Sequence, residues 1–261
     1  MRVAVNGASG AMGKRVIADI ADSDDCQLVC ALERDDHPSM GIDAGAIAGV
    51  GKLGLDVTSE LQGEPEILID FSEPDSTLER AAECAREGVA LVIGTTGLSE
   101  EQAQRIEEEI AAEVPVLMAS NMSLGVNLLF RLAEWVAGAL PEGYDVEIVE
   151  AHHRRKKDAP SGTARELGHR ICEGSGRDED AVIARGHGMV GPRGPDEIAI
   201  HAVRGGDIVG EHTVIFAGEG ERLELTHRAS SRDLFARGAL QAARFVHKQP
   251  AGLYSMQDVI S

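Results

Sequence analysis

Aromatic side chains are nearly missing, with five Phe, two Tyr and one Trp among 261 residues. That scarcity argues against a sandwich with an aromatic core. Val, Ile, Leu and Ala carry the apolar share, which suits buried parallel strands flanked by helices. Lysine is short too: five residues stand against 44 Asp and Glu, and the formal net charge is −19. Nucleic acid is excluded as a partner, because its binders present basic surfaces. An acidic, lysine-poor surface instead suits a salt-rich, halophilic cytoplasm, where ions screen self-repulsion. Only four cysteines occur (Cys26, Cys30, Cys84, Cys172), at spacings that fit neither a disulfide framework nor a zinc site. Reduced structural thiols are expected. No run approaches the roughly 18 apolar residues a membrane span needs, and the start shows no signal-peptide pattern. The expected setting is the cytoplasm, with no membrane partner.

What is present is an alternation of strand and helix patterns. Arg2–Asn6, Gln27–Leu32, Ile67–Phe71, Val89–Ile93 and Val114–Met118 read as strands. Ala11–Asp22, Pro74–Arg86 and a segment opened by the Ser99/Gln102 capping box read as helices, and 35–54 as loop. Such alternation predicts an α/β fold, a Rossmann-type doubly wound parallel sheet. After Asn121 the pattern changes. A helix over 123–140 and a strand over 145–150 precede a polar segment and a helix over 165–173. Strands over 197–204, 208–217 and 222–227 follow, separated by glycine-bearing turns. Those turns predict hairpins, hence an α+β domain with an open mixed or antiparallel sheet. A last amphipathic helix spans 232–248.

The first strand runs into Gly7-Ala8-Ser9-Gly10-Ala11-Met12-Gly13 as a helix begins. Glycines there permit the tight turn and let backbone N–H groups approach a pyrophosphate at the helix N-terminus. Glu33 ends the second strand, 20 residues past Gly13, where a carboxylate can accept from a ribose 2′-hydroxyl; Arg34 beside it can pair with a 2′-phosphate. Use of both NADH and NADPH is expected. Gly94-Thr95-Thr96-Gly97 and Ala119-Ser120-Asn121-Met122 end the next strands, at the carboxyl edge where open α/β sheets bind ligands.

The second polar centre is Glu150-Ala151-His152-His153-Arg154-Arg155-Lys156-Lys157-Asp158-Ala159-Pro160-Ser161-Gly162-Thr163. Six consecutive basic or titratable residues stand out in so acidic a chain. The run ends at a helix start, whose N–H groups together with the Thr163 hydroxyl form a seat for an anion. Histidine exchanges protons near neutral pH, and lysine supplies a cation and an acid. The combination suits an anionic substrate that must gain a proton. No metal is expected, since adjacent histidines diverge and no Cys or i,i+4 His completes a site. His37, His169, His187, His201, His212, His227 and His247 read as ordinary structural residues.

These segments, with Ser120–Asn127, Arg204–His212 and His227–Arg232, resemble the 4-hydroxy-tetrahydrodipicolinate (dihydrodipicolinate) reductases over nearly the whole chain. The resemblance implies NAD(P)H-dependent reduction of a dicarboxylated, imine-type ring in lysine biosynthesis by the diaminopimelate route. It implies His152 as acid/base residue and Lys156 as proton donor, with His153, Gly162 and Thr163 holding substrate carboxylates. Gly7 to Met12, Glu33, Arg34, Gly94 to Thr96 and Ala119 to Met122 would contact the cofactor. One departure is Met122, where the family more often has an aromatic residue. A homotetramer is implied, with residues 1–123 and 232–261 as the dinucleotide-binding domain and 124–231 as the substrate-binding and tetramerisation domain. Two other readings compete: a different two-domain nicotinamide oxidoreductase acting on an imino acid, and a non-catalytic dinucleotide sensor. Intact His152 and Lys156 disfavour the sensor, which needs no proton donor.

Overall fold

The computed structural model describes residues 1–185 and 188–261; the expectation for His187 lies outside them. The chain forms two compact units, Met1–Leu124 with Asp233–Ser261, and Gly125–Arg232.

The first unit contains β1 (Arg2–Asn6), α1 (Ala11–Ala21), β2 (Gln27–Leu32), α2 (Ala44–Ala48), β3 (Val57–Thr58), β4 (Ile67–Asp70), α3 (Pro74–Glu87), β5 (Ala90–Ile93), α4 (Glu100–Arg105) and β6 (Pro115–Met118). α4 continues into a π-helical turn, Ile106–Ile110. The strands form one parallel sheet of order β12-β6-β5-β4-β1-β2-β3, where β12 (Gly252–Tyr254) is contributed by the C-terminal segment. Alternate residues of the buried strands feed two cores. Val3, Val5, Ile67, Ile69 and Val92 face one side, packed with Val16, Ile17 and Ile20 of α1. The C-terminal helix α7 (Asp233–Val246) joins this core through Ala236, Ala239, Leu240 and Ala243. Ala4, Leu68, Leu91 and Ile93 face the other side, with Ala81 and Cys84 of α3. Period-2 strands buried on both faces are what a doubly wound sheet demands, and each large aliphatic side chain so buried contributes about 1.5–3 kcal/mol. Because the strands are parallel, β1, β2, β4, β5 and β6 all end at one edge. The order reverses between β1 and β4, the switch point at which such sheets bind ligands.

Short elements escape the expected pattern, among them α2 inside the stretch read as loop, β3, and β12. Each has five residues or fewer, too short to show a period. α2 is held by its cap, the Asp43 carboxylate, which accepts from the N–H groups of Ala46, Leu53 and Gly54 at 2.9, 3.1 and 2.7 Å.

The second unit contains α5 (Leu124–Ala139, its first residue belonging to the first unit), β7 (Asp145–His152), α6 (Gly162–Ser175), β8 (Val182–Ile183), β9 (Ile198–Arg204), β10 (Gly210–Gly218) and β11 (Glu221–Ala229). Its sheet is mixed, of order β11-β10-β7-β9-β8. One of the two expected hairpins is real: β10 and β11 pair antiparallel across the Gly218–Gly220 turn. The other is not. β9 and β10 flank β7, parallel and antiparallel to it respectively. The Gly205-Gly206 turn therefore crosses the end of β7, where the Gly205 N–H donates to the His152 carbonyl at 2.9 Å. One face of this sheet packs Val146, Ile148, Ile198, Ile200, Val214 and Phe216 against α5 and α6.

Candidate active site

In the first unit, Gly7 takes φ +73°, and a Cβ there would lie 2.6 Å from the Phe71 carbonyl oxygen, so only glycine fits the turn. Gly13 is equally constrained: a Cβ would meet the Gly7 oxygen at 2.1 Å. The N–H groups of Gly7 and Ala8 both donate to the Leu32 carbonyl at 3.1 Å, binding the loop to the end of β2. Glu33 follows, and its Oε1 accepts from the Ser9 N–H at 2.8 Å, which fixes the carboxylate beside the glycine loop. A cleft of about 320 Å³ opens here, lined by Gly7, Ser9, Gly10, Glu33 and Arg34, with Asn6, His37, Phe71, Ser72, Glu73 and Ser76. Arg34 is exposed, its Nε 2.8 Å from Asp36.

Ala8, Ala11, Met12, Gly94, Thr95, Thr96, Ala119, Ser120, Asn121 and Met122 lie outside the lining of this cleft. Gly94–Thr96 and Ala119–Met122 sit beyond β5 and β6 on the same carboxyl edge. Two of these side chains are already committed. The Thr95 hydroxyl donates to Asp70 Oδ1 and accepts from the Ser72 N–H, both at 3.1 Å. Met122 is buried in the core, and its carbonyl oxygen packs so closely on α7 that a Cβ on Gly238 would fall 1.7 Å from it. Asp70, 1 % exposed, also accepts from Asn6 Nδ2 at 3.1 Å and the Ser72 N–H at 2.8 Å. Asn6, Asp70 and Ser72 were not singled out from the sequence, and His37 was read as an ordinary structural residue; Asn6 and Asp70 are the last residues of β1 and β4, and that place at strand ends was the available signal.

The cleft fits a dinucleotide. Glycines keep its floor bare of side chains, α1 points its N-terminus there, and Glu33 is preset at one wall. The Ser9 hydroxyl is buried with no partner among the described residues, a polar group left for a ligand to satisfy.

In the second unit, β7 carries Glu150 and His152 on one face, the face that is apolar further back along the strand. Glu150 is 0 % exposed. Its Oε1 accepts from the Ser161 N–H at 3.0 Å and Arg204 at 2.7 Å; its Oε2 accepts from Arg204 at 2.7 Å and meets His152 Nδ1 at 2.6 Å. Burial pushes this carboxyl up, but the bonds from Arg204, His152 and Ser161 outweigh it and leave it below the usual carboxylate range. His212 of β10 lies opposite Glu150 in register and meets the His152 ring edge-on, centroids 5.2 Å apart. The Ser161 hydroxyl accepts from the Ala164 N–H, capping α6, and lies 3.2 Å from His212 Nε2. Burial, with the neighbouring His152 charge, pushes His212 down to about 4, so it is neutral at pH 7.

Lys156 Nζ pairs with Asp158 at 3.0 Å, and that contact holds the Asp158 carboxyl below its ordinary range. His153 Nε2 accepts from Arg232 at 3.2 Å. Burial and the Arg232 and Arg155 charges push the His153 imidazole down, so a neutral ring carries its proton on Nδ1. α6 starts at Gly162, three residues earlier than its apolar pattern indicates, because Ser161 supplies the cap. Gly162 and Thr163 thus occupy the first turn, at the positive end of the helix dipole. The structure brings His152, Ser161 and the α6 start together. It adds Glu150, Arg204 and His212 to them. His212, read as an ordinary structural residue, is instead part of this constellation. Its signal was its place in the Arg204–His212 segment. Among the described residues no cluster of three or more His, Cys, Asp or Glu is arranged for a metal.

Family models for dihydrodipicolinate reductase match both parts of the chain, the N-terminus model over residues 1–122 and the C-terminus model over 125–260. The chain belongs to the dihydrodipicolinate reductase family. It is 49% identical to the 4-hydroxy-tetrahydrodipicolinate reductase of Nitrosomonas europaea over 100% of this chain and 98% of that one. It is 49% identical to the reductase of the same name from an Anaeromyxobacter species, over 100% and 97%. Among solved structures, a dipicolinate-bound dihydrodipicolinate reductase from Paenisporosarcina sp. TG-14 superposes with a TM-score of 0.80 at 26% identity, covering 100% of this chain and 99% of that one. A probable dehydrogenase from Thermotoga maritima shares the fold, with a TM-score of 0.64 at 12% identity over 100% and 92% of the two chains.

Proposed function

We propose that this chain reduces 4-hydroxy-tetrahydrodipicolinate, by way of dihydrodipicolinate, to tetrahydrodipicolinate with NADH or NADPH, a step of lysine biosynthesis. The observation that carries this reading is the polar centre at the end of β7. A histidine held by a buried carboxylate stands beside a helix start able to seat a carboxylate, within a chain of this family. The dipicolinate bound to the Paenisporosarcina relative is a planar ring dicarboxylate, the shape such a centre suits.

In the proposed chemistry, the reduced nicotinamide supplies a hydride to the conjugated imine when bound. The chain's residues do the rest. First-turn N–H groups at Gly162 and Thr163, with His153, hold the substrate carboxylates and fix the ring's orientation. Lys156 and His152 place positive charge where the anion left by hydride addition develops, and one of them returns the proton that completes reduction. Gly7–Met12, Glu33, Arg34, Gly94–Thr96 and Ala119–Met122 hold the dinucleotide. Glu33 suits a free ribose and Arg34 a 2′-phosphate, which supports dual use. We place the enzyme in a salt-rich cytoplasm as a homotetramer, with residues 1–123 and 232–261 binding dinucleotide and 124–231 binding substrate and partner subunits. Four free cysteines are consistent with a reducing compartment.

The test is a coupled assay at several KCl concentrations. Pyruvate, aspartate semialdehyde and the preceding synthase generate the substrate, and loss of NADH or NADPH absorbance is followed. Oxidation that needs the synthase and falls about 10²–10⁴-fold in His152→Ala or Lys156→Ala is expected. No oxidation at any salt by folded, dinucleotide-binding protein would overturn the reading.

A further inference from the structure

Proton exchange by a histidine depends on which ring nitrogen carries the proton and how firmly the ring is held. His152 leaves little to chance on either count. Its Nδ1 lies 2.6 Å from Glu150 Oε2, and its side chain is 12% exposed. A carboxylate can only accept, so Nδ1 carries a proton in the neutral ring as well as in the imidazolium. The exchanging atom is then Nε2. Space beside that atom is kept by Gly210, where a Cβ would come within 3.1 Å of Nε2.

Glu150 has no freedom to turn away. Arg204 grips both its oxygens, and the Ser161 N–H fills a further acceptor site. Arg204 is itself fixed, donating to the Asp158 and Val203 carbonyls at 2.7 Å. Around His152 stand Glu150 from its own strand, Arg204 opposite it on β9, neutral His212 from β10 and the adjoining His153, and the charge of Lys156 in the following loop acts on His153 and His212. Among these, Glu150 is the carboxylate in contact with the ring; Asp158 is engaged by Lys156.

We infer that Glu150 is the positioning residue of the active centre: clamped by Arg204 and Ser161, it fixes His152 as the Nδ1–H tautomer with Nε2 free to exchange protons. The Ser161 bond does a second job. It ties the same carboxylate to the start of α6, so the proton-exchanging ring and the proposed carboxylate seat share one anchor. Glu150 acts through His152 and touches no substrate.

This inference builds on the proposed reductase reading, but its test does not need turnover. The measurement is ¹⁵N NMR of the ring nitrogens of full-length protein across pH, with the His152 signals assigned by their loss in His152→Asn. In the wild type, above the ring's titration, Nδ1 should be protonated and Nε2 bare. A wild-type ring protonated on Nε2 would overturn the inference by itself, without any variant. In Glu150→Gln the tautomer should become mixed or inverted, because an amide can offer Nδ1 a donor as well as an acceptor. With the wrong nitrogen carrying the proton, kcat should fall at least tenfold. The Kd for NADH should be unchanged and reports folding. Glu150→Asp, which keeps the charge, should restore the wild-type tautomer, and it stands in should the amide variant not fold. Ring signals in folded Glu150→Gln identical to wild type in tautomer, with kcat lowered all the same, would reduce Glu150 to a structural residue, as would a mixed or inverted tautomer in Glu150→Asp that matches the amide variant. A wild type that shows the Nδ1–H tautomer yet oxidises no cofactor would sink the reductase reading alone.

Discussion

At the residue scale, one buried carboxylate, Glu150, gathers the Ser161 N–H, Arg204 and His152. The basic run and the glycine loop are visible in the sequence because unusual residue types are consecutive. His212 and Arg204 stand in a segment the sequence marks, but their role is hidden there, since they reach Glu150 and His152 only through pairing of β10 and β9 with β7. A buried histidine with a depressed pKa gives a measurable sign. Its unfolded value is near 6.5 and its native value about 4. Between those limits the unfolded chain binds a proton that the native ring refuses, so stability rises with pH. The His212 contribution is whole above about pH 6.5 and is lost as pH falls toward 4, by roughly 2–3 kcal/mol. Urea unfolding of wild type and His212→Gln at pH 7 and 4.5 should show a shallower loss in the variant. Equal losses would mean that His212 is protonated in the native protein. Cofactor choice belongs to this scale as well. Glu33→Ala should raise the NADPH-to-NADH ratio of kcat/KM, and Arg34→Ala should lower it. About tenfold is expected each way, the worth of one charged hydrogen bond. Unmoved ratios would place discrimination elsewhere in the cleft.

At the scale of elements, the parallel sheet of the first unit was legible because its strands are buried on both faces and alternate with capped helices. The second sheet was only half legible. A glycine turn between two period-2 segments looks the same whether the strands pair or a third lies between them, and nothing local to Gly205-Gly206 announces that β7 does. Helix packing is similarly hidden. α5 and α6 approach so closely that a Cβ on Gly174 would fall 2.1 Å from the Glu134 carbonyl oxygen, and one on Gly138 would fall 2.7 Å from that of Gly174. A glycine within a helix costs about 1 kcal/mol of propensity relative to alanine. On propensity alone, Gly174→Ala would stabilise the protein. The clash is with backbone, which cannot rotate aside, so overpacking of about 1–3 kcal/mol should win. Thermal unfolding should show a lower Tm for Gly174→Ala and no loss for Gly176→Asn. Gly176, at φ +69°, meets nothing within 4 Å, and Asn tolerates the left-handed region. A raised Tm for Gly174→Ala would mean that the helices part at little cost.

At the scale of the whole molecule, the property with the widest consequence is the charge of −19. Arginine does most of the pairing on the surface: Arg170 alone lies within 4 Å of Glu134, Glu166 and Glu173. The remaining acids repel one another, and that repulsion opposes the compact state. Two salt responses can be told apart. Simple screening is nearly complete once the Debye length falls to about 8–10 Å, at 0.1–0.15 M salt, so Tm would rise early and then level off. A surface adapted to concentrated salt would keep gaining as the screening length shrinks to about 3 Å near 1 M, where even neighbouring carboxylates cease to interact. The density of acidic residues favours the second curve. Tm measured in KCl from 0.05 to 2 M should climb throughout, and NaCl should reproduce it if screening is the cause. A plateau below 0.3 M would reduce the acidic surface to ordinary solubility and remove the case for a salt-rich cytoplasm. Stability flat from the lowest salt would show that the ion pairs already cancel the repulsion.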